Sequence, residues 1–170
     1  GIVMRRSGFQ VERTDLETVK LADDDMCAVG PSDDGGLLGA TCTAKMVMDQ
    51  QLILAPSGSI ERASFESWAR EHDVALKIMG EAASVSMRLE LARQIGAICV
   101  LPGIALADLL SQGHWQIRQI EKDDYLDGIE WFVIFRRTGG DRQIRAIVEV
   151  MQQQAMALSR RSTETFKYTL

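Results

Sequence analysis

"QLILAPSGSIERASFESWAREHDVALKIMGEAASVSMRLELARQIGAICVLP", residues 51–102, alternates short apolar runs with amphipathic stretches, and that alternation decides the fold. Leu52–Ala55, Val74–Met79 and Ala97–Leu101 are continuous apolar runs, the pattern of strands covered on both faces. Between the first two, Phe65, Trp68 and Ala69 fall on one side of a helix whose other side carries Glu66, Arg70 and Glu71. Between the last two, Val85, Leu89, Ala92 and Ile95 repeat at helical spacing, and Gly96 is placed to end that helix in a left-handed cap. Parallel strands joined by crossover helices follow, with a ligand crevice at the carboxyl ends of the strands.

Working outward, Met26–Val29 is a fourth buried run. A further helix is expected from Pro102–Gly103 through Ile104, Ala107 and Leu110 to Gly113. Ile2–Met4 and Glu130–Phe135 are strand-like but do not fit the same sheet, and Ile144, Ile147, Val148, Met151 and Ala155 mark a late amphipathic helix. Polar crossings at Arg13–Asp25 and Gln116–Asp127 divide these outer pieces from the middle block. The expected organisation is two lobes, the first from residues 1–13 and 117–158, the second from 14–116. Residues 159–170, without an apolar period, read as a loosely held tail. The opening Gly1-Ile2-Val3-Met4 reads as the middle of a strand, which suggests a fragment of a longer product.

With 46% hydrophobic residues over 170, the chain has ample material for a core, and its net charge of -5 gives no overall footprint for phosphate backbones. No apolar run approaches the roughly 20 residues needed to cross a bilayer, and the start lacks a signal-peptide pattern. Cys27, Cys42 and Cys99 are an odd set without metal-ligand spacing, for which a reducing cytoplasm is the expected home. His72 and His114 have no ligand partner at helical spacing. Asp23-Asp24-Asp25 and Asp33-Asp34 lack the alternation and glycine of a calcium loop, and Gly35–Gly39 lacks the lysine of a phosphate loop. No metal, no cofactor and no catalytic motif is expected.

The chemistry concentrates in the corner Pro56-Ser57-Gly58-Ser59 and in Ser84-Val85-Ser86, each of which precedes a helix. Ser59 and Ser84 read first as N-caps, each stabilising its helix by about 1 kcal/mol. If both helices start on one sheet edge, their dipole ends and unpaired amides also converge on a single crevice, where a carboxylate is well received.

The run from Leu52 to Leu110, with "EAASVSMRLELARQIGAICVLP" and the late "WFVIFRR" strand, resembles the effector-binding domain of LysR-type transcriptional regulators. The resemblance covers residues 1 to about 158 and implies a type 2 periplasmic-binding-protein fold: α/β, two-lobed, with open, mostly parallel sheets. By the same resemblance the first lobe is incomplete, and the family's DNA-binding helix-turn-helix and linker helix are absent. A first lobe lacking its opening strands is expected to lean on a partner chain or to be poorly ordered. The implied role is that of a cytoplasmic homodimeric sensor, not an enzyme, touching DNA only through the missing domain. The implied effector site draws on Pro56, Ser57, Ser59, Ser84, Val85 and Ser86, with Met4 and Arg5 facing the cleft from the hinge strand. The implied partner is a small effector, expected to be a carboxylate. A transporter's solute-binding protein or an enzyme on the same fold are the alternatives.

Overall fold

The structure, a computed structural model, describes residues 1–6, 15–32, 42–106, 114–121, 129–137 and 142–168, with the side chains of 5–6, 142–143 and 160–168 left out. The described residues form strands β1 (Ile2–Arg6), β2 (Leu16–Asp24), β3 (Met26–Pro31), β4 (Gln51–Leu54), β5 (Lys77–Glu81), β6 (Ile98–Pro102), β7 (Trp115–Gln119) and β8 (Ile129–Arg136). The helices are α1 (Ala44–Met48), α2 (Ile60–Glu71), α3 (Val85–Ile95) and α4 (Arg142–Tyr168), with a 3-10 turn at Gly103–Leu106.

The strands make two sheets, a five-stranded one in the order β5-β4-β6-β3-β7 and a three-stranded one in the order β1-β8-β2. In the larger sheet β4 pairs in parallel with β5 and β6, as two crossover helices require. The pairs β3–β6 and β3–β7 are antiparallel, so this sheet is mixed where mostly parallel strands were expected. The reason is that a continuous apolar run reports cover on both faces and carries no information on direction.

Alternation along each strand sends neighbours to opposite faces, and each face has its own helix. Leu52, Leu54, Ala28, Ile98 and Val100 pack with Phe65, Trp68 and Ala69 of α2 and with Val47 and Met48 of α1. Ile53, Cys27, Val29, Cys99 and Leu101 pack with Leu89 and Ala92 of α3. α2 and α3 therefore lie on opposite faces of the sheet. Burying a side chain such as Phe65 stabilises the fold by about 1.5–3 kcal/mol.

Both helices end in left-handed closures. Gly96 has φ 67° and Ala97 N–H donates to Ala92 O at 3.0 Å, as the glycine foretold. After α2 the left-handed residue is Asp73, φ 54°, and Val74 N–H reaches Ala69 O at 2.8 Å while Asp73 N–H reaches Arg70 O at 3.3 Å. Aspartate tolerates this conformation better than most residues with a Cβ. The closure also explains why the third strand starts at Lys77 and not at Val74: Val74 and Leu76 are half-buried packing residues of the return to the sheet.

In the three-stranded sheet β8 is central, antiparallel to β1 and β2. Leu21, Val133 and Val148 form its buried centre, with Val19, Trp131, Phe135, Ile144, Met151 and Ala155 around them. β2 belongs to this sheet although residues 14–116 read as one lobe, and β7 belongs to the larger sheet. The chain passes from β2 into β3 through the single residue Asp25. Asp24, 5% exposed, pins that crossing: its carboxylate accepts Ile104 N–H at 3.0 Å, Trp131 Nε1–H at 3.0 Å and Asp25 N–H at 2.9 Å. Burial raises this carboxyl above its ordinary range, and the three donors pull it partly back.

The expected tail carries backbone helix instead: α4 runs on to Tyr168, and Ser159 Oγ donates to Asp23 O at 2.9 Å. The helix expected to reach Gly113 begins as the 3-10 turn, and its part through Ala107 and Leu110 lies outside the described residues, as do Asp33, Asp34 and Gly35–Gly39.

Candidate functional site

The corner after β4 is a tight turn with a defined role for each residue. Ser59 N–H donates to Pro56 O at 3.1 Å, and Gly58, at φ 86°, occupies the turn position that demands a left-handed backbone. Ser59 then caps α2: its Oγ accepts Arg62 N–H at 3.2 Å. After β5, Ser84 caps α3 in the same way, accepting Met87 N–H at 3.2 Å, and its Oγ lies 2.8 Å from that of Ser86. The cap reading of both serines is thus correct. Accepting one amide leaves each hydroxyl its proton, so capping does not exhaust its bonding capacity.

Because β4 and β5 are parallel neighbours, α2 and α3 both start from the carboxyl-terminal edge of the sheet. The chain moves to β5 on one side of β4 and then returns to β6 on the other, which makes β4 the strand where the winding reverses. Two side-chain bridges show how near the loops lie. Ser57 N–H donates to Glu81 Oε2 at 3.0 Å, and Arg88 Nη1 of α3 donates to Glu61 Oε2 of α2 at 2.6 Å. Pro56, Ser57, Ser84 and Ser86 are exposed around this edge, with Ser59 and Val85 half-buried.

Two buried arginines support the edge from below. Arg62, 7% exposed, donates to Ala55 O at 3.1 Å and to Glu66 Oε1 at 2.6 Å, and its Nη1 lies 3.5 Å from Glu81 Oε2. Arg88 is 2% exposed and spends Nη1 on Glu61, while its Nε is buried without a partner among the described residues. Sequence reasoning missed Arg62, Arg88, Glu61 and Glu81. Arg88 carried a signal, since it shares the stripe of Val85, Leu89 and Ala92 where a charge has no place without a partner.

Met4 is half-buried and packs against the α2-side core, with β1 lying against α2. The Arg5 side chain lies outside the described residues; its backbone pairs with Glu130.

An open groove of about 340 Å³ lies elsewhere, between β2 and α4, lined by Lys20, Leu21, Ala22, Asp23, Met156 and Ser159. Its polar groups already satisfy one another: Lys20 Nζ is 2.7 Å from Asp23 and 2.6 Å from Glu130, and Ser159 is spent on Asp23 O. The helix-start edge, with the exposed hydroxyls of Ser57, Ser84 and Ser86, is the better candidate for a ligand.

The cysteines offer no nucleophile. All three are buried and free, and burial pushes Cys42 up to about 11, Cys99 to about 12, and Cys27 well above its ordinary value. His72 stacks on Trp68 with ring centroids 3.8 Å apart, and its Nδ1 lies 2.9 Å from Trp68 O. Among the described residues no group of three or more His, Cys, Asp or Glu is placed to hold a metal ion, and no helix is long and apolar enough to cross a membrane.

Comparison with known proteins places this geometry. The family model described as the LysR substrate binding domain matches residues 1–156. Among solved structures, full-length CbnR complexed with its target DNA is 17% identical at a TM-score of 0.67, covering 91% of this chain and 52% of that one. A mutant of Corynebacterium glutamicum OxyR is 16% identical at 0.70, covering 96% and 51%. The effector binding domain of a BenM variant is 12% identical at 0.66, covering 92% and 71%. The chain thus spans about half the length of the first two. Curated protein sequences give no match.

Proposed function

The chain belongs to the LysR substrate-binding domain family, and from that premise we propose that it is a ligand sensor that holds a small anionic effector at the starts of α2 and α3. The observation that carries this reading is the pair of serine-capped helices leaving adjacent parallel strands at one edge, cross-tied by Ser57–Glu81 and Glu61–Arg88. Two helix starts at one edge add their positive ends, and a carboxylate there gains charge-assisted bonds from amides and hydroxyls together.

The two sheets are the two lobes, and the effector sits between them, with Met4 and Arg5 contributing from β1. Binding acts through Asp24 and Asp25, where one sheet hands the chain to the other, by favouring one relative setting of the lobes. Such a ligand shifts the equilibrium only by its difference in affinity for the two settings, typically about 1–3 kcal/mol. No bond of the effector is made or broken. In an intact cytoplasmic regulator, working as a homodimer, the change passes to a separate DNA-binding domain, since a net charge of -5 suits this part poorly to DNA itself.

Thermal-shift screening of small carboxylates against their uncharged amides tests the reading. A carboxylate that raises Tm while its amide does not is the expected result. If only neutral ligands stabilise the protein, the anionic site is wrong.

A further inference from the structure

We infer that Glu81 is an intramolecular latch on the effector seat: its carboxylate occupies the donors that an incoming carboxylate must take. This inference rests on the sensor reading above and adds a competitor to it. Glu81 Oε2 accepts Ser57 N–H at 3.0 Å and lies 3.5 Å from Arg62 Nη1, so the Ser57 amide already holds a carboxylate beside the Arg62 guanidinium, one supplied by the chain itself.

The two partners of the latch differ in mobility. Arg62 is buried and fixed by Ala55 O and Glu66, whereas the Glu81 side chain is 47% exposed at the end of β5, an edge strand. Glu81 can swing into water at small solvation cost, and Arg62 cannot follow. The main chain around it stays tied, because Ala82 N–H donates to Leu54 O at 3.2 Å. Opening therefore frees the Ser57 amide and one face of the Arg62 guanidinium while the loops hold their positions.

The latch sets selectivity. A tethered carboxylate competes at a high effective concentration, so a small anion that offers nothing more than Glu81 does is held off. An effector that also engages Ser59 and Ser84 gains bonds that Glu81 does not make, and it displaces the latch. The apparent dissociation constant is the intrinsic one divided by the fraction of protein with the latch open. Removing the Glu81 charge raises that fraction toward one and tightens the binding of even a minimal carboxylate.

Acetate is the probe, titrated against sodium chloride at equal ionic strength and followed through the backbone amide resonances of Ser57, Ser59 and Ser84. Wild type is compared with Glu81→Gln, and with Glu149→Gln on the exposed side of α4 as a control for net charge. The expected result is half-saturation at about fivefold lower acetate, or better, in Glu81→Gln and no change in Glu149→Gln. Equal half-saturation in wild type and Glu81→Gln, with the three amides still responding, overturns the latch and leaves the effector seat standing. No response at these amides in any of the proteins overturns the seat and the latch with it. Should Glu81→Gln fold poorly, Glu81→Ala replaces it. Without any ligand, loss of the bond in Glu81→Ala must also move the Ser57 amide resonance upfield; an unmoved resonance in that variant refutes the latch.

Discussion

The two sheets of this molecule are stabilised in different ways. The larger is a slab with a helix on each face, and its central strands β3 and β6 are buried along their whole length. The smaller packs on α4 around Leu21, Val133 and Val148, with β1 also lying against α2, and its strand β1 is an edge with Ile2 exposed. On the proposed reading, the slab is the frame on which the site is aimed, and the smaller sheet is the part whose setting the effector changes. Sites that need fixed donors belong on the first, and β5, α2 and α3 all stand there.

The largest test of this contrast is Phe65→Ala, which opens a cavity in the α2-side core and should cost about 3–5 kcal/mol in urea unfolding. Val148→Ala, in the smaller core, should cost markedly less. A reversal of that order would break the comparison.

Asp24 joins the two regions, and Asp24→Asn should cost about 1–3 kcal/mol at neutral pH, because an amide offers one acceptor where Ile104, Trp131 and Asp25 present donors to both oxygens. The pH dependence has a definite sign. Since the folded carboxyl is raised, its contribution to stability is fully present below the unfolded value near 3.9 and is lost as pH rises through the folded value. Stability curves of wild type should carry this loss as pH rises above the unfolded value, and those of Asp24→Asn should not.

The caps come next. Ser59→Ala and Ser84→Ala should each lower stability by about 1 kcal/mol, measured by thermal unfolding. The smallest effect belongs to the surface of the lesser sheet: Lys20→Met, which removes the contacts with Asp23 and Glu130, should change stability by less than about 1 kcal/mol, and added salt should shrink the difference.

The same contrast explains what the sequence revealed. In the slab, Leu52–Leu54, Ile98–Leu101 and the stripes of α2 and α3 announce themselves because burial on both faces leaves no polar interruption. β2 escaped notice because a bulge between Lys20 and Ala22 breaks its alternation, putting Leu21 and Ala22 both inside between charged neighbours. β7 escaped because it is an edge strand with Ile117 as its one fully buried residue. The serine caps were legible from local chemistry alone. Glu81 and Arg62 were not, since their meeting depends on the parallel pairing of β4 with β5, which no local pattern encodes.

The most direct test is calorimetric titration of the first carboxylate found to raise Tm, using wild type and the Ser59→Ala/Ser84→Ala double variant well below the variant's own unfolding temperature. If both hydroxyls bond the effector, affinity should fall by about 1 kcal/mol or more, which is roughly fivefold or greater. Unchanged affinity in a folded double variant would contradict the assignment of the effector to the starts of α2 and α3.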